Sequence, residues 1–429
     1  MSDQTLASPF AASIHATKPN LAVIGAGVVG LCTALAAQKE GYHVTLLDSN
    51  PPGKAASFGN AGYLATELMD PLGTKKVLKM APKLWLDPKG PVCLPWKHFT
   101  KAAPWLLKFV AASSDERAEY SRKALLSLNA EAVPAWHRLM QDVGGEEHLI
   151  SDGYLLVWED PSKKTDAREH LAQMQRFNIP CEYVEGARLA ELEPTLAKRI
   201  SHALYYPKAT RVSDPFTVCQ LLYQAFQERG GVFIQEHVMS LQAGTHNIEV
   251  HLARDQQAFG QVIICGGAWS KQLLEQVGLT VPLEAERGYH VTYTGQEQLL
   301  NHVIGAAERR FVMSPLASGL RSVGMSEIGG VRLPPIQKRF AVLREHTAAL
   351  LPDVTKDGIQ VEEWMGHRPT LPDSLPVIDQ HPSFPRLAFA FGHQHLGLTH
   401  AAITAELMLA KIQKQPASIS LHAMRVDRF

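Results

Sequence analysis

Three glycines carry the clearest chemical signal in this chain. Gly25, Gly27 and Gly30 stand as G-x-G-x-x-G, directly after the apolar run of residues 20–24 and directly before residues 31–40, which read as a helix. The first glycine permits a tight turn, the second lets a diphosphate reach the backbone, and the third lets a helix pack closely on its strand. The helix start adds free N–H groups and partial positive charge facing the phosphates. Asp48 ends the next apolar run, 18 residues past Gly30. A carboxylate there can accept hydrogen bonds from ribose hydroxyls. Strand, glycines, helix and acid in this order predict a dinucleotide site. The competing reading is a glycine-rich turn with an incidental acid.

Further candidates lie in loops. Ser57, Asn60 and Gly62 fall in the Gly- and Ser-rich residues 51–66, small groups suited to threading past a diphosphate. Near the C-terminus GHQHLGLT runs into a helix, whose N-terminus can stabilise negative charge on the ring of a reduced flavin. Ordinary turn chemistry is the plainer reading of both loops. Arg368 in GHRP offers a planar fork that can pair a carboxylate bidentately. Tyr289 and His290 in RGYH, and His393 and His395 around Gln394, are polar groups whose types suit either substrate contact or buried structural roles.

The elements that must position these residues follow from pattern. Residues 20–48 form one βαβ unit. Helical patterns span 115–141, 162–177, 212–227 (opened by Ser213-Asp214-Pro215), a stretch near 336–351, and 399–411. Strands are expected at 154–158, through 230–242, at 261–265 and at 387–391. The order implies an α/β fold, with a Rossmann-like cofactor domain interleaved with an α+β substrate domain built on a mixed antiparallel sheet. Residues 18–70, 189–282 and 363–415 are assigned to the cofactor domain, 71–188 and 283–362 to the substrate domain, and 1–17 to a loose tail.

Composition narrows the classes. The 429 residues hold 42 Lys plus Arg and 42 Asp plus Glu, a zero balance that does not suit a nucleic-acid binder. Five cysteines without a CxxC suggest neither a disulfide framework nor a zinc site, so no metal is expected. No apolar run reaches the length of a membrane span, and no leader pattern precedes the first strand. A cytoplasmic address is expected, with peripheral association at the inner membrane left open.

The motifs taken together resemble the glycine oxidase and D-amino-acid oxidase superfamily of flavoproteins, and within it the bacterial D-amino-acid dehydrogenase branch. They are NLAVIGAGVVG with Asp48, SFGNAG, SDPFTVCQLLYQAFQERGGVF, VIICGGAWS, ERGYH, RSVGMSEIGG, MGHRPTLPDSLPVID and GHQHLGLTHAAITAEL, in order over roughly residues 20–415. The resemblance implies non-covalent FAD. Gly25, Gly27, Val28, Val29 and Gly30 would hold its diphosphate, and Asp48 with Ser49 its adenosine ribose. Ser57, Asn60, Ala61 and Gly62 would lead to the flavin. Val238 would meet adenine, Gly266 would lie under the adenine half, and Gly397, Leu398 and Thr399 would lie at the pyrimidine edge. Cys265 is the last cysteine and sits in the nucleotide half, so a covalent link by a late cysteine is not expected.

The resemblance gives Arg368 the substrate carboxylate and places Tyr289, His290 and His395 near the substrate. It implies FAD-dependent dehydrogenation of a D-amino acid, with electrons passed to a quinone or another carrier. The branch carries GHGTLGWT where this chain has GHQHLGLT. The added Gln394 and His395 suggest a cyclic or hydroxylated substrate such as D-proline or hydroxy-D-proline. The rival readings are a glycine- or sarcosine-type oxidase using oxygen, and a flavin-binding protein without redox activity. Oligomeric state is not legible.

Overall fold

The Asn20–Ile24 strand lies inside a six-stranded sheet. The strands run in the order Val232–Ile234, His43–Leu47, Asn20–Ile24, Gln261–Ile264, Leu387–Phe391, Val377–Gln380, all parallel except the last. These strands are short apolar runs because helices and a small sheet cover both faces of the sheet. One face meets the helices Val28–Lys39, Pro215–Glu228 and Gly397–Ile412, with Leu31, Leu35, Leu222, Phe226 and Met408 fully buried. Asp214 caps the second of these helices, its carboxylate accepting the N–H groups of Phe216 and Thr217 at 2.9 and 3.0 Å. The other face carries a three-stranded antiparallel sheet, Val238–Ala243, Ile248–Leu252 and Gln256–Phe259. The structure is a computed structural model that describes residues 19–429 apart from Pro88 and Ala197 and the side chains of Lys83, Leu84 and Leu86. The expected tail, 1–17, lies outside the described residues.

A second, nine-stranded mixed sheet is built mainly from the middle of the chain. Its strands run Val361–Thr370, Glu284–Tyr293, Gly319–Ile328, Phe311–Leu316, Val303–Ala306, Tyr154–Trp158, His202–Tyr206 and Glu182–Val184, with Val92–Cys93 pairing beside Gly319–Ile328. The helix Gln337–Leu350 packs on one face through Phe340 and Leu343, against Tyr289, Val291 and Phe311. The opposite face turns Glu286, Gly288 and Ser326 towards a large cavity.

The long helix Asp115–Val143 joins the two parts. Its buried Trp136 donates Nε1–H to the Leu398 carbonyl at 2.9 Å, at the start of the last cofactor-domain helix.

The expected α/β class and the interleaving of the chain between two sheets match this architecture. Sheet membership moves two of the proposed boundaries. His202–Tyr206 lies in the nine-stranded sheet, although 189–282 was assigned to the cofactor domain. Val361–Thr370 runs in that same sheet across the boundary drawn after 362. The single strand expected through 230–242 is two, Val232–Ile234 and Val238–Ala243, in different sheets. Residues 96–112 form a helix with Pro104 inside it, a residue that reads as a helix breaker in the sequence. Among the described residues no helix is long and apolar enough to cross a membrane.

Candidate active site

The cradle begins where the first strand ends. Gly25 adopts φ +112°, a region closed to most side chains, and a Cβ there would lie 2.4 Å from the Cys265 carbonyl oxygen. A Cβ on Gly30 would lie 1.8 Å from the Gly25 carbonyl oxygen, so only glycine lets the Val28–Lys39 helix start this close to its strand. Gly27 is different. A Cβ there would meet only Ser57 Oγ, at 3.2 Å, and Gly27 faces open cavity with Val28 and Val29. The Val28 N–H donates to Ser57 Oγ at 2.9 Å, which ties the 51–62 loop to the helix start. Asp48 is fixed from both sides, Oδ2 accepting the Ala26 N–H and Oδ1 the Asn50 N–H, each at 2.8 Å.

These groups line one end of a single cavity of about 1590 Å³. That end continues past Ser49 to Glu236, Val238 and Met239 and is backed by Cys265, Gly266 and Trp269. In the other direction it passes Ser57, Asn60 and Ala61 to Trp364, His393, Gln394, His395, Gly397 and Leu398. Gly62 and Thr399 stand just behind the wall. Gly62 takes φ +74° and donates its N–H to Asn60 Oδ1 at 2.8 Å, and the buried Thr399 hydroxyl accepts the Ala65 N–H at 3.1 Å. Both brace the lining.

Arg368 stands on the cavity wall, carried by the edge strand Val361–Thr370. Its guanidinium lies over Gly288, where a Cβ would come within 2.4 Å of Cζ. Nη1 donates to Glu286 Oε1 at 2.9 Å and to the Met325 carbonyl at 3.2 Å. Glu286 is also held by the Ser326 hydroxyl at 2.7 Å and the Thr370 hydroxyl at 3.0 Å. Burial pushes the Glu286 carboxyl up, but Arg368, the Ser326 hydroxyl and His395 together outweigh it, and the group stays below its ordinary range. Beside this pair His395 is pushed down to about 4, mainly by burial, with Glu286 opposing and Arg368 adding to the shift. His395 is therefore a neutral imidazole on the cavity wall at neutral pH.

Two expected site residues are elsewhere. Tyr289 is fully buried on the helix-covered face of the nine-stranded sheet. Its hydroxyl donates to Glu327, which also pairs with the buried Arg287, and accepts the Ile336 N–H at 3.1 Å. His290 lies behind the cavity wall. Its Nδ1 lies 3.3 Å from the Gly59 carbonyl, its ring stacks on Trp364 at 5.2 Å, and burial followed by the Arg321 charge pushes it down to about 3. Tyr289 thus braces the substrate sheet, and His290 braces the loop that precedes Asn60. Gln394 sits at φ +50° with its amide NH₂ on the Ser374 carbonyl, so its donor group anchors the loop.

Sequence reasoning missed Glu286 and Trp364. Trp364 fills the space left by Gly59 and Gly366, each of whose Cβ positions would fall within 2 Å of the indole. The glycines of SFGN and MGHR were the signal, but it is readable only once the two segments are known to meet.

The cavity can be tested for a flavin dinucleotide on its own chemistry. Its lining includes the helix start and Asp48, and has a buried Glu236 carboxylate oxygen and the buried Gln394 side-chain amide oxygen without partners. Buried acceptors without partners are costly, and donors of a bound ligand satisfy them. The residues fit the group.

Cradle and cavity together define a dinucleotide-binding protein whose cavity extends over a second sheet. The chain belongs to the DAO family, described as FAD dependent oxidoreductase, which it matches over residues 20–411. It is 32% identical over 418 residues to a protein named D-amino-acid oxidase from Bradyrhizobium diazoefficiens, with 96% of this chain and 99% of the relative covered. It is 27% identical over 425 residues to a D-amino acid dehydrogenase from Paramagnetospirillum magneticum, covering 95% and 98%. Its fold is similar to that of glycine oxidase from Geobacillus kaustophilus, with a TM-score of 0.76 at 19% identity and 96% and 99% covered. The protein is an FAD-dependent oxidoreductase of the amino-acid oxidase and dehydrogenase family.

Proposed function

We propose that this protein oxidises D-amino acids at the Cα–N bond, with Arg368 holding the substrate carboxylate. The observation that carries the reading is the Arg368–Glu286 pair on the cavity wall. Both side-chain bonds of Arg368 use Nη1, so Nη2 and Nε form the edge offered to a carboxylate. Glu286 keeps the fork from turning, and Gly288 leaves it room to lie flat. The D-configuration is supported by the names of two relatives.

FAD, when bound, supplies the acceptor for a hydride from the substrate Cα. Orientation is the protein's main contribution, since a substrate with a neutral amine needs no strong base to lose hydride. The amine loses a proton as the C=N bond forms, and water then converts the imine to a 2-oxo acid and ammonia. A cyclic substrate stops at a pyrroline carboxylate. The neutral His395 offers one donor and one acceptor to a ring hydroxyl, which supports hydroxy-D-proline over D-proline among cyclic substrates. Cys265, Cys32 and Cys219 are buried, and burial pushes Cys265 up to about 12, which supports non-covalent FAD.

Anaerobic mixing of the holoprotein with a panel of D- and L-amino acids tests the reading. D-amino acids should bleach the bound flavin. Bleaching by L-amino acids alone, or by none, overturns it. A second reading, an oxidase passing electrons to oxygen, is favoured by the name of the 32%-identical relative. Rapid peroxide formation in air selects it over a dehydrogenase that uses a quinone or other carrier.

A further inference from the structure

Charge and exposed apolar surface are segregated in one region. The chain balances 42 basic against 42 acidic residues, yet residues 75–112 hold eight lysines and one acid, Asp87. Two helices dominate this region, Lys75–Leu86 and Trp96–Ala112. Trp96, Phe99, Leu107 and Val110 stand at i, i+3, i+11 and i+14, one stripe of the second helix, and are 81%, 37%, 74% and 54% exposed. Trp85 of the first helix, 41% exposed, extends the stripe, its ring 6.2 Å from Trp96. Lys97, Lys101 and Lys108, all exposed, form a row beside it, and Ala102 and Trp105 are buried on a third side.

We propose that this face docks on an anionic lipid surface, so that the mouth of the cavity opens at the bilayer. An exposed Trp, Phe and Leu stripe flanked by lysines has the composition of an interfacial helix, with apolar side chains entering the headgroup boundary and ammonium groups meeting acidic headgroups. A second copy of this chain is disfavoured as the occupant, because self-pairing would bring the lysine rows close together. The stripe is continuous with the cavity, since Val110, Trp85 and Leu68 are both exposed and part of its wall. Leu106 and Phe109 continue the apolar lining inward. The docking itself is independent of the substrate. It rests on the function proposed above only for the acceptor, a lipid-soluble quinone that would enter from the membrane.

Flotation of the holoprotein with vesicles tests the docking without reading oxidation. Binding is expected to vesicles of mixed phosphatidylglycerol and phosphatidylcholine, to weaken in high salt, and to be much weaker with phosphatidylcholine alone. Changing Lys97, Lys101 and Lys108 to Gln should weaken it about 100-fold, at roughly fivefold per lysine near a charged surface. Trp96→Ser with Leu107→Ser should also release the protein. Flavin absorbance checks that each variant is folded, and oxidation with a water-soluble acceptor should persist, since none of these five side chains lines the cavity. Absence of binding by the unaltered protein overturns the proposal. So does binding unchanged in both folded variants, or a dimer in solution that the Trp96 and Leu107 changes dissociate. If a variant fails to fold, the lipid and salt dependence of the unaltered protein decides.

Discussion

Arg368 and Glu286 sit side by side on neighbouring strands, paired in register, with Nη1 and Oε1 2.9 Å apart. The carboxylate is held by two hydroxyls as well, so Arg368 has a fixed anionic partner at the cavity wall.

Arg368→Ala should retain flavin and lower kcat/KM by about 30- to 5000-fold, the cost of removing one partner of a desolvated charged pair. Arg368→Lys should recover part of it, because a point charge cannot reproduce the fork. Glu286→Gln should raise KM by less than Arg368→Ala does, since the fork remains but loses its brace. Steady-state kinetics on the three variants checks the order. Near-normal kinetics in Arg368→Ala would put the carboxylate on another cation.

The two inner glycines should fail in different ways. Gly27→Val fills cavity space, so flavin should be lost while the far-UV spectrum stays that of the folded protein. Gly30→Ala drives a methyl into the Gly25 backbone carbonyl, so flavin loss should come with about 1–3 kcal/mol of destabilisation. Flavin-to-protein absorbance and denaturant unfolding separate the two. Equal stability loss in both would mean that Gly27 is structural as well.

Glu67 predicts a pH dependence of stability. Burial pushes it up to about 7, and the hydrogen bond from the Tyr63 hydroxyl at 2.6 Å only partly opposes this. The folded protein therefore holds this proton more tightly than the unfolded chain does. The associated stability is complete below the ordinary glutamate range near 4.3 and is lost as pH rises through about 7. A shift of this size corresponds to about 3 kcal/mol. Glu67→Gln should flatten that part of the stability–pH curve. Parallel curves for both proteins between pH 4 and 8 would contradict the assignment.

His395→Ala should narrow the difference in kcat/KM between hydroxy-D-proline and D-proline. A site that hydrogen-bonds a hydroxyl discriminates against analogues lacking one. Held down at about 4, His395 should contribute no ionisation to the rate profile near neutral pH. An unchanged ratio between the two substrates would mean that this imidazole serves the loop alone.

The nucleotide half was legible because local rules suffice there. Gly25, Gly27, Gly30 and Asp48 lie within one βαβ unit, and each is explained by neighbours in sequence or by one parallel strand. In the substrate half, of the residues expected to meet substrate, Arg368 and His395 stand on the cavity wall. Tyr289 and His290 were misplaced because Glu284–Tyr293 is buried almost throughout, so no polar alternation tells its two faces apart. A register irregularity between Arg287 and Tyr289 complicates the count further. Glu286 gives no local signal, because its partners Arg368, Ser326 and Thr370 lie 40 to 84 residues away.

The wall behind the glycine motif has a consequence for biosynthesis. The slot that Gly25 leaves open is closed by Cys265, and the strand before Cys265 is the parallel neighbour of the strand before Gly25. The Gly260 N–H bonds to Asn20 across 240 residues of chain. At ribosomal speeds of about 5–20 residues per second, the nascent motif waits roughly 10–50 s for its back wall. The remaining interior strand, Leu387–Phe391, arrives later still. A nascent chain ending before Cys265 thus carries the complete glycine fingerprint without a cradle, and cofactor capture belongs to the end of synthesis.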